Sequence, residues 1–275
     1  MRKMVCCGFA MTLALGAGVP AVCGYAQAAA GERTVPNRQA VLQQAHDAYY
    51  NLRNRGVVSF QCNIVPDWVQ VFADAAKQNP AGAQNAIQML QQLHFVVNFG
   101  TDGTAKVTHN DLTGQTQQMK DALSQMYGGM SMMVTSFFQT WSMFMYNNPF
   151  PDVNSEYALV DLGPRYRLTY KDGTTDVMTT MGHDFAMDTM TVTTPSDDSS
   201  IVPRLTATPE GLVLAGYRST YKSQNASETT DVSVDIQYVR QQGLETLQKL
   251  NIAGTYGGSS FHVAIPFSNC QMTMK

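Results

Sequence analysis

Apolar and polar residues alternate with a period of two through the last third of the chain, from Ile201 to Ile265, in short runs separated by turn signals. Val232, Val234, Ile236 and Tyr238 fall on one face and Ser233, Asp235 and Gln237 on the other, as in a half-buried strand. Tyr217, Ser219 and Tyr221 alternate in the same way with Arg218, Thr220 and Lys222, and Phe261, Val263 and Ile265 with His262 and Ala264. At least three strands therefore each present one apolar face to a common cover.

The first half mixes two periods. Val41, Ala45, Ala48, Tyr49 and Leu52 recur every three or four residues and predict an amphipathic helix over 37–55, stopped by Gly56. Val58, Phe60, Cys62 and Ile64 then alternate with polar residues and predict the first strand. Pro66-Asp67 opens a short helix ending near Asn79, with Trp68, Val71, Phe72 and Ala75 on one side, and Pro80 opens another that runs to about His94. Asp102-Gly103 lies between two alternating runs and predicts a hairpin.

From Thr116 to Asn147 the period is helical again. Met119, Leu123, Met126, Met130, Met133, Phe137, Trp141 and Phe144 follow at steps of three or four, with Gly128-Gly129 as a point of loosening. Such a stripe has two readings. Methionine fills irregular gaps in a core, and its soft, repackable surface also suits a variable apolar ligand. On the second reading Met126, Met130, Met133, Phe137, Trp141 and Phe144 are the candidate ligand-binding residues. Asn147-Asn148-Pro149 ends the helix and excludes a transmembrane continuation.

Strands return from Tyr157. Asp172-Gly173 marks a second hairpin and Pro209-Glu210-Gly211 a third, while Pro195 to Ser200 reads as a polar turn. Hairpins in series make an antiparallel meander, here of about nine or ten strands. The expected fold class is α+β: a curved antiparallel sheet, an incomplete barrel, covered by an N-terminal helix and by helical insertions at about 66–94 and 112–148. Residues 29–275 are expected to form one domain.

Residues 1–28 read as an export signal. Arg2-Lys3 precedes an apolar segment and Ala26-Gln27-Ala28 has the form of a signal-peptidase site. A membrane anchor would need about 20 unbroken apolar residues, and Gly16, Gly18 and Pro20 interrupt this segment. Cys23, preceded by Pro20-Ala21-Val22, does not fit a lipoprotein signal. No transmembrane span is expected after cleavage, and a periplasmic or secreted bacterial location follows. Removing the segment leaves two of five cysteines, Cys62 and Cys270. In an oxidising compartment they are a disulfide candidate, with two separate buried thiols as the alternative. Neither has a second thiol or histidine at metal-ligand spacing. Loss of Arg2 and Lys3 moves the net charge from −3 to −5, and the remaining basic residues are scattered, which excludes a phosphate-backbone binder.

The order Ile201-Val202-Pro203-Arg204-Leu205, a Glu-Gly turn, Leu212 to Tyr221, Val232 to Tyr238 and the Gln242-Gly243-Leu244 step resembles the periplasmic lipoprotein-carrier family, the LolA-like half-barrels. The N-terminal helix entering a Val-Ser-Phe-Gln strand is similar too, so the resemblance covers residues 38–65 and 155–270. It implies an incomplete barrel plugged by helices around an apolar cavity for acyl chains, and hence carriage of a lipid or an acylated lipoprotein. The helices between Asp67 and His94 and the Met-rich one depart from that pattern.

Catalytic candidates are few. His183-Asp184 is the one His-Asp neighbour pair, but neighbours in a strand point to opposite faces, and a turn is the better reading. Gly257-Gly258-Ser259-Ser260 lacks the spacing of a hydrolase elbow, and Asn225-Ala226-Ser227 reads as a polar turn. His46, His94 and His109 are isolated. The expected function is a carrier or binder of a lipid-like or other apolar ligand, not an enzyme and without a cofactor. The alternative is a non-catalytic cell-envelope interaction protein with no internal ligand.

Overall fold

A computed structural model describes residues 32–223, 229–256 and 259–275. Residues 1–28, where an export signal is expected, Asn225-Ala226-Ser227, where a polar turn is expected, and Gly257-Gly258 lie outside the described residues. Among the described residues the chain runs β1 (Arg33–Thr34), α1 (Arg38–Asp47), β2 (Val57–Ile64), α2 (Trp68–Val71), α3 (Ala73–Gln78), α4 (Pro80–Leu90), β3 (Phe95–Phe99), β4 (Ala105–His109) and α5 (Gln117–Met145). It continues with β5 (Tyr157–Asp161), β6 (Arg165–Asp172), β7 (Thr175–Gly182), β8 (Met187–Thr193), β9 (Asp197–Thr208), β10 (Gly211–Ser223), β11 (Thr229–Gln241), β12 (Leu244–Tyr256) and β13 (Ser259–Met274).

All thirteen strands join one antiparallel sheet in the order β1-β5-β6-β7-β8-β9-β10-β11-β12-β13-β2-β3-β4. The fold is α+β with a curved, unclosed sheet. From β5 to β13 every neighbour is the next strand in sequence, so hairpin turns alone set the topology. Among the described residues, distant parts of the chain pair in the short β1–β5 ladder and in the longer seam of β13 against β2, from Phe267↔Ile64 to Met274↔Val57. A bulge there places Asn269 and Cys270 opposite Cys62, and the Cys62–Cys270 disulfide bridges the seam with Cα atoms 4.1 Å apart.

The hairpins form where the turn chemistry placed them. Gly103 and Gly173 adopt φ of +80° and +60°, which only glycine enters without strain. Gly211 is needed for a second reason: a Cβ there would lie 2.8 Å from the Tyr50 backbone nitrogen. The chain leaving α1 runs directly beside this turn, with the Tyr50 N–H donating to the Leu212 carbonyl at 3.0 Å. That contact also explains why α1 stops at Asp47 instead of continuing to Arg55. Tyr49 turns inward, its hydroxyl accepting from the Met187 N–H (3.0 Å) and donating to the Phe185 carbonyl (3.2 Å).

Other boundaries differ from the sequence pattern for identifiable reasons. Thirteen strands replace nine or ten partly because β1 has no apolar residue and exists only through pairing with β5. Asp197–Ser200 belong to β9, not to a turn, because β10 is long enough to pair with them. Pro203 sits within β9 just beyond the last residue that β8 pairs, Ile201, so the missing N–H interrupts no ladder on that side. The helix expected to reach Asn79 breaks at Phe72 into α2 and α3. Among the described residues no helix is long and apolar enough to cross a membrane.

Because the disulfide closes a separation of 208 residues, the chain-entropy model gives it about 5 kcal/mol. The double variant Cys62→Ala/Cys270→Ala should lose several kcal/mol in denaturant unfolding. A midpoint equal to that of the oxidised parent would show that the seam holds without it.

Candidate functional site

The site is built from two surfaces, the apolar face of the sheet and α5. β4 and β1 lie at the two ends of the strand order, and α5 is the connection from β4 to β5, the neighbour of β1. Its 29 residues span about 43 Å at the rise of an α-helix, enough to cross the sheet. Thr116 caps it, its hydroxyl accepting from the Met119 N–H at 3.3 Å. Between Asp121 and Asp152 the chain carries no charged residue, so α5 meets the sheet through apolar and neutral polar contacts.

The two halves of α5 are held differently. In the C-terminal half Met130, Val134, Phe137, Phe138, Trp141 and Phe144 are buried. Phe138 and Trp141 sit in an aromatic cluster with Phe60 of β2 and Phe99 of β3, whose rings stack at 4.8 Å while Trp141 meets both edge-on at 5.7 and 5.5 Å. Hydrogen bonds fix the same end. The Trp141 indole donates to the Tyr238 hydroxyl (3.1 Å), which donates to the Leu214 carbonyl (2.8 Å), and the Tyr146 hydroxyl donates to the Val58 carbonyl (2.8 Å). Thr140 bonds the Tyr217 hydroxyl. The space left beside Trp141 is about 10 Å³, bounded by Leu52, Val57, Cys62 and Thr246, at the lower limit for one water molecule.

In the N-terminal half only Leu123 is buried, with Met126 and Tyr127 partly so. Tyr127 stacks on His109 of β4 with ring centroids 3.6 Å apart and meets Phe95 edge-on at 6.0 Å. Its buried hydroxyl has no hydrogen-bond partner among the described residues, and burial raises its pKa. Gly128 and Gly129 separate the halves. A methyl at either would meet no atom within 4 Å, so close packing does not require them, and each costs the helix about 1 kcal/mol relative to alanine.

Of the six candidate ligand residues, Met130, Phe137, Trp141 and Phe144 are thus buried in the common core, and Met126 and Met133 are partly buried at its margin. The sequence reading left out a second set, on the sheet. Register aligns Ile201, Ser219, Val232 and Phe261 across β9 to β13 on the face shared with Tyr217 and Val234. The deeper row, Tyr217, Val234, Ile252 and Val263, is buried, whereas Ile201, Val232 and Phe261 are half-exposed and Tyr221 is 44% exposed at the rim. Burial therefore fades within one residue row, and the apolar face has a half-exposed lip. Alternation in the sequence marked the face of these residues but not the row at which the cover ends.

The catalytic candidates do not converge. His183 and Asp184 form the β7–β8 turn: His183 Nε2 lies 2.8 Å from the Gly163 carbonyl, and Asp184 accepts from the Ala186 N–H at 3.1 Å. His46 contacts the Pro151 carbonyl at 2.8 Å and His262 contacts Gln70 at 2.6 Å. No family model matches the chain, and no curated protein or solved structure matches it.

Burial pushes Tyr217 up to about 12, opposed by its bond with Thr140, and pushes the enclosed Tyr238 further in the same direction. The folded state thus keeps phenolic protons that an unfolded chain loses near pH 10, so stability should fall as pH rises from about 10 through about 12. Tyr217→Phe should flatten this decline in urea midpoints measured across the window. A parent midpoint that does not move there would contradict the enclosure of these phenols by α5.

Proposed function

We propose that the protein is an exported carrier or binder of a lipid-like, apolar ligand, held between α5 and the apolar face of the sheet and admitted at the lip formed by Ile201, Val232 and Phe261. The observation that carries this reading is the exposed margin of an otherwise buried apolar face, next to a helix whose inner flank has no charge. Each methylene moved from water to such a surface contributes about 0.8 kcal/mol, so an acyl chain is an adequate ligand. The N-terminal signal and the resemblance to LolA-like half-barrels favour cargo of the cell envelope, an acylated lipoprotein among the candidates.

Ligand space comes from movement of the N-terminal half of α5. The C-terminal half stays fixed by Trp141, Tyr146 and their partners. The N-terminal half is held by Leu123, Met126 and the Tyr127–His109 stack, and separating an uncharged helix flank from a sheet breaks no ion pair. Gly128-Gly129 supplies the bend. The solid packing around Trp141 favours a second reading, a cell-envelope interaction protein whose Met-rich helix is purely core. On that reading Met132, 68% exposed on the outer side of α5, belongs to the contact surface.

Uptake of a fluorescent fatty acid by delipidated protein separates the two. Carriage requires saturable uptake, weakened at least tenfold by Met133→Asp or Val232→Asp and slowed by Gly128→Ala/Gly129→Ala, which should itself raise helix stability by about 2 kcal/mol. No uptake by the folded parent would leave only the second reading.

A further inference from the structure

The opposite, solvent-facing side of the same strands carries a second feature. Register places Arg218, Ser233, Ala253 and His262 in one row across β10 to β13, and Thr220, Asp231, Thr255 and Ser260 in the next. Between the rows lies a trough of about 580 Å³, within the size range of small-molecule sites. Ser233 and Ala253 are short side chains between the longer Arg218 and His262, which lowers the middle of the row. One guanidinium and one carboxylate face the trough, the Asp231 carboxylate accepting from the Thr220 hydroxyl at 2.8 Å.

The hydroxyl row does not stop at β10. Thr220 is paired with Ser200, Ser200 with Thr191, Thr191 with Met178 and Met178 with Thr169. At that end the same row borders a second trough, of about 380 Å³, whose charged groups, Lys171 and Asp176, are paired at 2.7 Å. Two depressions on one face are thus joined by a row crossing eight strands, at about 4.8 Å per strand, in which six positions carry hydroxyls and Met178 and Asp231 the other two. Val202, 45% exposed, stands between them, and Met178, 42% exposed, lines the second trough.

The geometry points to this face as a binding surface for an uncharged polysaccharide chain lying across β6 to β13. Charge selects the class. Positive and negative groups balance in each trough, which gives no hold to phosphate polymers or acidic glycans. Hydroxyls with one carboxylate and one guanidinium match the donors and acceptors of sugar hydroxyls, and Met178, Val202 and Ala253 offer apolar contact to the C–H faces of the rings. The row length suits a linear polymer better than a compact ligand. Ser219, Val232, Gly254 and Phe261 of the intervening row also line the first trough, so it adjoins the lip, but its reading does not rest on an apolar ligand.

Co-sedimentation of the full chain with insoluble cellulose and with chitin tests it. The parent should leave solution with at least one of them, and Ala253→Arg/Thr191→Arg, which fills both troughs, should reduce the bound fraction at least tenfold while its circular dichroism and fatty-acid uptake stay those of the parent. Met133→Asp, on α5, should leave sedimentation unchanged. Absence of the parent from both pellets, equal binding by the trough-filled variant, or conversion of a parent dimer to monomer by that variant would overturn the assignment.

Discussion

An open antiparallel sheet with one apolar face must cover that face, and the structure depends on how α5 does so. β5 to β13 alone would expose Leu168, Met190, Val234, Leu250 and Ile265 to water; each large apolar side chain buried contributes about 1.5–3 kcal/mol, so these five alone amount to about 7.5–15 kcal/mol, as much as the whole net stability of a domain. The connection from β4 to β5 has to cross to the far end of the sheet in any case. Making that crossing a 29-residue apolar helix turns a topological necessity into the cover. The disulfide and the β13–β2 seam then hold in register the two parts of the chain that the crossing separates.

The cover is uneven, and this unevenness is the source of the functional reading. Its C-terminal half is fastened by aromatic packing and by hydrogen bonds to Tyr238, Leu214 and Val58. Its N-terminal half has shallower burial, a stacked His109–Tyr127 pair and two glycines that no close contact demands. Regions that open for ligands come from the less stable part of a fold. The Tyr238 and Tyr49 hydroxyls are engaged in bonds that fix α5 and the chain leaving α1 to the sheet.

Much of the architecture was legible in the sequence because its signals are local. The period of two in Val232–Tyr238, the Asp-Gly turns at Asp102 and Asp172, and the helical stripe from Met119 to Phe144 each depend on neighbours within a few residues. What was not legible depends on partners far along the chain. β1 has no pattern of its own, α1 ends early because Tyr50 meets Leu212, and Asp197–Ser200 become strand because β10 pairs with them. The candidate site divides in the same way. The Met and Phe positions on α5 could be listed from periodicity, but not which of them, Met126 and Met133, would remain at the margin, nor that Ile201, Val232 and Phe261 would form the lip. Cys62 and Cys270 were legible as a disulfide candidate because they are the two cysteines outside the expected export signal, with two separate thiols as the alternative; the structure joins them.

Native mass spectrometry of the mature protein purified from its own compartment, followed by solvent extraction of whatever accompanies it, tests carriage most directly. A bound mass that is released as acylated material, and that is absent from a folded Met133→Asp variant, is the result required of a carrier that opens at α5. A homogeneous unliganded mass that takes up no fatty acid after mixing would contradict it and leave the helix as core alone.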